Sequence, residues 1–177
     1  MDNSLFSLRH WRAALALLAC SLVLAVPAQA DPAGRIGRIS LLAGSVNLYQ
    51  PESGESFAAP LNQPLTSGDI VSTEAGSRAE IQIGSTTVRL DASSRLELDR
   101  IDDQQVSLYL AEGRSIVKLS SAEAVNDFTL ETRNGRFSAR STGIYRFDSD
   151  ARSSTGTAYY GALHFENSDS ALDITSR

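Results

Sequence analysis

Apolar residues alternate with polar ones along almost the whole chain after residue 30, and this period-two pattern restricts the fold more than any other feature. In Arg78-Ala79-Glu80-Ile81-Gln82-Ile83, the alanine and both isoleucines fall on one face. The charged and amide side chains fall on the other. A strand with one buried face reads this way, because successive side chains point to opposite sides of the pleat. Val106, Leu108 and Leu110 repeat the pattern. So do Leu96 and Leu98, Phe128 and Leu130, Phe137 and Ala139, Tyr145 and Phe147, and Leu163 and Phe165, with Leu172 and Ile174 as a last pair. Gly84-Ser85 is a two-residue link suited to a type II′ hairpin, because glycine accepts positive φ. Asn134-Gly135 signals a type I′ hairpin joining Phe128–Arg133 to Arg136–Ser141. Asp102-Asp103, Glu112-Gly113 and Tyr160-Gly161 are weaker turn signals. Ser120 to Asp127 has room for one helical turn and reads as a loop. The expectation is an all-β domain, an antiparallel β-sandwich or flattened β-roll of short hairpin-connected strands. Solenoid-like stacked β is the alternative, favoured by recurring Gly-Arg and Gly-Ser dipeptides but weakened by their irregular spacing.

The first 30 residues read differently. Arg9, His10 and Arg12 precede an apolar run from Ala13 to Val26, and Pro27 closes it. Ala28-Gln29-Ala30 then offers small residues in the pattern a signal peptidase reads, so cleavage is expected before Asp31. The run is shorter than the roughly 20 apolar residues that span a bilayer. Cys20 follows Leu17-Leu18-Ala19, which loosely resembles a lipobox. Lipid anchoring at Cys20 is the minor alternative to its removal with the signal. The expected organisation is a signal peptide over 1–30 and one β domain over 31–177, exported to the periplasm without a membrane span in the mature chain.

Charge and composition exclude several function classes. The chain has 16 basic and 21 acidic residues, a net charge of −5. Loss of Arg9, Arg12 and Asp2 would make the mature domain more negative by a single charge. Such a domain is a poor partner for nucleic acid, whose phosphates call for a basic surface. Cys20 is the one cysteine, so the mature chain has no disulfide, thiolate nucleophile or sulfur ligand. His164 is its one histidine, alternates with Leu163 and Phe165, and is expected to face solvent without an oriented partner. Asp99, Asp102 and Asp103 lack calcium-loop spacing. No catalytic residue, metal site or cofactor is expected.

Two groups suggest binding. Arg133, Arg136, Arg140 and Arg146 lie on neighbouring predicted strands, where a stripe of guanidinium groups could meet carboxylates or phosphates. Tyr159 and Tyr160 could stack on a sugar together with Phe165, but alternation sends the two tyrosines to opposite faces, and core packing is the plainer reading.

The chain from about Arg35 to Thr175 resembles the FecR domain family, named after a periplasmic iron-dicitrate sensor. Gly37-Arg38-Ile39 and Gly44-Ser45-Val46 match its opening strand pair. Leu65-Thr66-Ser67-Gly68-Asp69-Ile70-Val71-Ser72-Thr73 matches its next element. The most distinctive stretch is Gly76-Ser77-Arg78-Ala79-Glu80-Ile81, followed by Gly84-Ser85-Thr86-Thr87-Val88-Arg89-Leu90. Val106–Leu110 with Gly113, and Phe128–Thr132, continue the likeness. The motif positions Gly68, Asp69, Gly76, Ser77, Arg78, Gly84, Ser85 and Arg89 are expected to be structural, with Asp69 and Asp91 capping turns. Thr142-Gly143-Ile144-Tyr145 stands where the family often has Gly-Thr-x-Phe, closer to secreted FecR-like proteins. Only eight residues precede Arg9, so the namesake's cytoplasmic contact with a sigma factor does not carry over directly. The resemblance implies a non-enzymatic interaction or sensing domain with an unidentified envelope protein as partner. A module binding peptidoglycan or exopolysaccharide is the alternative, and an envelope glycan hydrolase a more distant one.

Overall fold

The computed structural model describes residues 34–176. The expected cleavage point and Cys20 lie outside the described residues. The described residues are about 62% strand and 4% helix, a mixed sheet of many short strands not closed into a barrel. Its strands are β1 (Gly37–Ala43), β2 (Val46–Gln50), β3 (Glu55–Ala58), β4 (Pro64–Leu65), β5 (Ile70–Thr73), β6 (Arg78–Ile83), β7 (Thr86–Leu90) and β8 (Ser94–Ile101). They continue as β9 (Val106–Leu119), β10 (Phe128–Thr132), β11 (Gly135–Ala139), β12 (Gly143–Ser149), β13 (Ser154–Tyr160), β14 (Ala162–Glu166) and β15 (Ala171–Thr175). Among the described residues the one helix is α1 (Ala122–Asp127).

The strands form two layers. The first runs β4–β1–β6–β7–β9–β12–β13, and the second β3–β2–β5–β8–β9–β10–β11–β14–β15. Strand β9 belongs to both. Its first half pairs with β8 and β10, its second with β7 and β12. The change of layer has a local cause. Ala111 is an extra residue opposite Arg95–Leu96, and Gly113 follows with φ of +91°. A bulge bends a strand and resets which side chains face inward. Val106, Leu108 and Leu110 therefore point into the core before the bend, and Ser115, Val117 and Leu119 after it. Glu112-Gly113, expected as a turn, is thus a bend within one long strand.

One apolar core fills the space between the layers. Ile81, Val88, Val117 and Phe147 enter it from the first layer; Leu48, Leu96, Leu130 and Phe137 enter from the second. The Phe137 ring lies 5.2 Å from Phe147 and 4.8 Å from Phe165. Full burial of such side chains contributes about 1.5–3 kcal/mol each. Gly156 brings β13 down onto this cluster, since a Cβ there would stand 2.5 Å from the Phe137 ring.

Three departures from the sequence reading have physical reasons. The ladder is not purely antiparallel: β10 runs parallel to β9, because the connection from Leu119 returns to the start of that long strand. Residues 122–127 are helical, with Ser121 Oγ accepting from Ala124 N at 3.1 Å and Arg35 reaching Glu123 and Asp127 from far along the chain. The β10–β11 hairpin pairs Thr132 with Gly135, so its loop residues are Arg133 and Asn134, one position earlier than the Asn-Gly signal implied. Thr132 Oγ1 accepts from Asn134 N at 3.3 Å and donates to Gly135 O at 3.0 Å, which closes the turn from the side chain. Gly135 is needed instead for close approach, as a Cβ would stand 2.6 Å from the Glu166 carbonyl oxygen. Gly84-Ser85 does link Ile83 to Thr86, with Gly84 at φ of +54°.

Candidate functional site

The motif positions divide into turn-formers and outward-facing charges. Asp69 is only 2% exposed; its carboxylate accepts from Thr66 N at 2.9 Å and lies within reach of the Gln50 amide. Gly68 has φ of +89° and its N–H donates to Leu98 O at 2.7 Å. Ser77, next to Gly76 at φ of +73°, accepts from Ser45 N at 2.9 Å and so ties the β5–β6 turn to the β1–β2 turn. Ser85 Oγ shares a 2.7 Å hydrogen bond with Ser121 Oγ at the start of α1. Arg78 and Arg89 instead point outward from the first layer, and Arg89 pairs with Glu80 at 2.7 Å.

The four arginines expected on one stripe separate onto two layers. Arg133, Arg136 and Arg140 lie on or beside the β10–β11 hairpin in the second layer. Arg146 lies on β12, whose neighbours are β9 and β13 in the first. The reason is β9, which carries β10 and β12 in different halves of its length. Arg136 is held by Glu131 at 2.6 Å and has Glu166 at 4.0 Å. With Arg133 it lines an open groove of about 470 Å³ beside Asn134 and Asn167. Both glutamates pair with Arg136, and Arg133 has no acidic side chain within salt-bridge distance among the described residues.

The outward face of the first layer is different. One cross-strand row runs Arg38, Gln82, Thr87, Lys118, Ile144, Tyr160 from β1 to β13. The next runs Glu80, Arg89, Ile116, Arg146, Thr157. Alternation fails at the end of β13. Ile144 pairs with Tyr160 and Tyr145 with Ala158, so Tyr159 is an extra residue in the strand. This bulge leaves both tyrosines exposed, Tyr159 by 46% and Tyr160 by 69%. The core packing and opposite faces expected for them are therefore corrected. Tyr145 takes the core position, with its hydroxyl donating to Ser141 O at 2.5 Å.

Charge on this face is organised by Asp148. Its carboxylate accepts from Arg146 Nε at 2.6 Å and from Arg114 Nε at 2.8 Å, and Arg114 also reaches Asp91 at 3.0 Å. The Arg146 guanidinium, and then Arg114, hold the Asp148 carboxyl below its ordinary pKa against the opposing effect of burial. Arg146 is in turn raised, by Asp148 first and by Tyr159 second. Sequence reasoning missed Lys118, Ile116 and Ile144 here. The outward parity of Ile116 and Lys118 follows the bulge in β9, which no local pattern shows, whereas Ile144 simply alternates with the inward Tyr145 and Phe147 of β12.

His164 has an oriented partner after all. Its Nδ1 lies 2.7 Å from Asp173 Oδ1, and Ser138 stands opposite it on β11. Among the described residues no hydrogen bond joins Ser138 to the imidazole, and no group of three or more side chains is placed to hold a metal ion. No helix of the described residues is long and apolar enough to cross a membrane.

Comparison with known proteins places these features. No curated protein matches the chain. Two crystal structures of a candidate anti-sigma factor from Parabacteroides distasonis ATCC 8503 are similar in fold, both with a TM-score of 0.53, at 13% and 12% identity. Each match covers 60% of this chain and 51% of that one, so the chain spans about half the length of the structures it resembles. The family model for FecR protein matches residues 69–163. That span opens at the buried Asp69 and closes at Leu163. It holds the Gly-Ser turns at 76–77 and 84–85, the shared strand β9 and the bulge that exposes the tyrosines, and by it the chain belongs to the FecR family.

Proposed function

We propose that this chain is a non-enzymatic interaction and sensing domain of the bacterial envelope, working in the periplasm after removal of residues 1–30. Membership of the FecR family over residues 69–163 is the observation that carries this reading. The similar solved structures are of a candidate anti-sigma factor, which fits a regulatory role. The long cross-strand rows of outward side chains support contact with a macromolecule, because they present a broad face in place of an enclosed pocket. The partner on this reading is another envelope protein.

In-cell crosslinking of the tagged full-length chain, followed by mass spectrometry, tests it. Specific enrichment of one membrane or periplasmic protein is the expected result. Co-sedimentation with sacculi or polysaccharide, without such a protein, would replace it with glycan binding. N-terminal sequencing of the processed product should begin at Asp31; a start at Cys20 would mean a lipid anchor instead.

A further inference from the structure

We infer that the outward face of the first layer is the docking surface, and that its occupant is an acidic, partly aromatic or aliphatic segment of a partner protein. The inference rests on the interaction reading above and adds where contact occurs and with what chemistry. The chain as a whole is acidic, at −5. Yet the outward strand positions of this layer carry Arg38, Arg78, Arg89, Arg114, Lys118 and Arg146 against only two carboxylates, Glu80 and Asp148. Both carboxylates are already bonded to arginines. Arg38, Arg78 and Lys118 have no acidic side chain within salt-bridge distance among the described residues, so their charge is uncompensated. Lys118 is the only lysine of the chain. The opposite layer leans the other way: its strands carry Glu97, Asp99, Glu131, Glu166 and Asp173 outward against Arg95, Arg100 and Arg136. A face with a net excess of cations attracts an anionic partner more strongly than a face where carboxylates offset the arginines.

The middle of the face is less polar than its rim. Ile116 and Ile144 floor a depression of about 150 Å³, edged by Arg89, Lys118, Glu80 and Thr87. Tyr159 and Tyr160 stand beside it, both turned outward by the β13 bulge. Bulges re-aim side chains, and tyrosine and arginine are among the residue types enriched where a few side chains carry most of the energy of a protein contact. Apolar floor, tyrosine wall and cationic rim together fit a polypeptide with carboxylates flanking a bulky side chain. A sulfated glycan would meet the cations and leave the isoleucine floor unused.

The test uses protein purified after expression of the full-length chain, with a random copolymer of glutamate and tyrosine as probe. Dextran sulfate and phosphatidylglycerol vesicles serve as competing anions. Binding of the copolymer should weaken with salt. It should fall at least about tenfold in the double variant Arg38→Glu, Lys118→Glu, and about tenfold in Tyr160→Ala. All three side chains are exposed, and an unchanged urea midpoint verifies the fold. Arg133→Glu with Arg140→Glu, on the other layer, should leave affinity unchanged. Equal loss in both double variants would mean general charge attraction and overturn the proposal. So would tighter binding of dextran sulfate or vesicles than of the copolymer. If crosslinking captures an envelope protein equally well with Arg38→Glu, Lys118→Glu, the surface is wrong and the interaction reading stands. If neither copolymer nor envelope protein is bound, both fall.

Discussion

Asp148 is the residue on which the charged face turns, since its two oxygens are shared between Arg146 and Arg114. Those guanidinium groups hold its carboxyl below the ordinary value of 3.8. The unfolded chain therefore takes up this proton first as pH falls. Its contribution to stability is full above that ordinary value and is lost as pH drops through the lower, folded one. The side chain is about a third exposed, so solvent limits the contribution to about 1 kcal/mol or less. Asp148→Asn should accordingly be less stable than the parent at pH 7, with the gap closing below pH 3.8 in urea titrations at a series of pH values. A gap that persists at low pH would place the cost in packing. Sequence reading found some of this cluster. It picked Arg146 and both tyrosines as candidates, but alternation, a rule about regular strands, assigned the tyrosines to opposite faces. The extra residue at Tyr159 is set by how β13 pairs with β12, and pairing is invisible in the strand's own sequence.

At the scale of the element, β9 shows what a local pattern can and cannot convey. Val106, Leu108 and Leu110 announce a strand, and Gly113 announces a break. The sequence does not say that the break is a bend shared by two layers. At Gly113 a Cβ would lie 2.3 Å from Ser94 Oγ and 2.5 Å from Ser94 Cα, with φ at +91°. Both the clash, which involves backbone, and the left-handed φ oppose any side chain there. Gly113→Ala should lose more than about 2 kcal/mol, read as a lower urea midpoint. Gly54→Ala is the control, with a similar φ of +69° and no atom within 4 Å of its Cβ. It should lose only the cost of backbone strain, about 1 kcal/mol. Equal losses would mean that the approach of β8 to the bend is soft. The hairpins follow the same logic. Gly84-Ser85 was legible because its turn depends on its own two residues. The loop at Arg133-Asn134 was displaced by one because Thr132, outside the dipeptide, bonds across it.

Over the whole molecule, the shared strand makes the two layers one cooperative unit. In each half β9 is hydrogen-bonded on both sides, so neither layer can open without exposing a ladder of the strand that completes the other. The core is continuous across the layers for the same reason. A two-domain arrangement would leave each layer its own stability, and a mutation would then be felt locally. Leu110 is fully buried in the second layer and ends the inward run just before the bend. Leu110→Ala should cost about 2–5 kcal/mol by loss of burial and a residual cavity. Native-state hydrogen exchange should report that loss in both layers at once: amides of Val88 and Val117 in the first should lose as much protection as those of Leu96 and Leu130 in the second. Edge strands β3, β4, β13 and β15 should exchange faster in parent and variant alike, because each is paired on one side only. If Val88 and Val117 kept their protection while the second layer lost it, the layers would be separate folding units joined by a strand. The basic face could then remain intact while the rest of the domain opens. Equal loss would mean that the docking face exists only while the entire fold does, so a partner bound there stabilises both layers together.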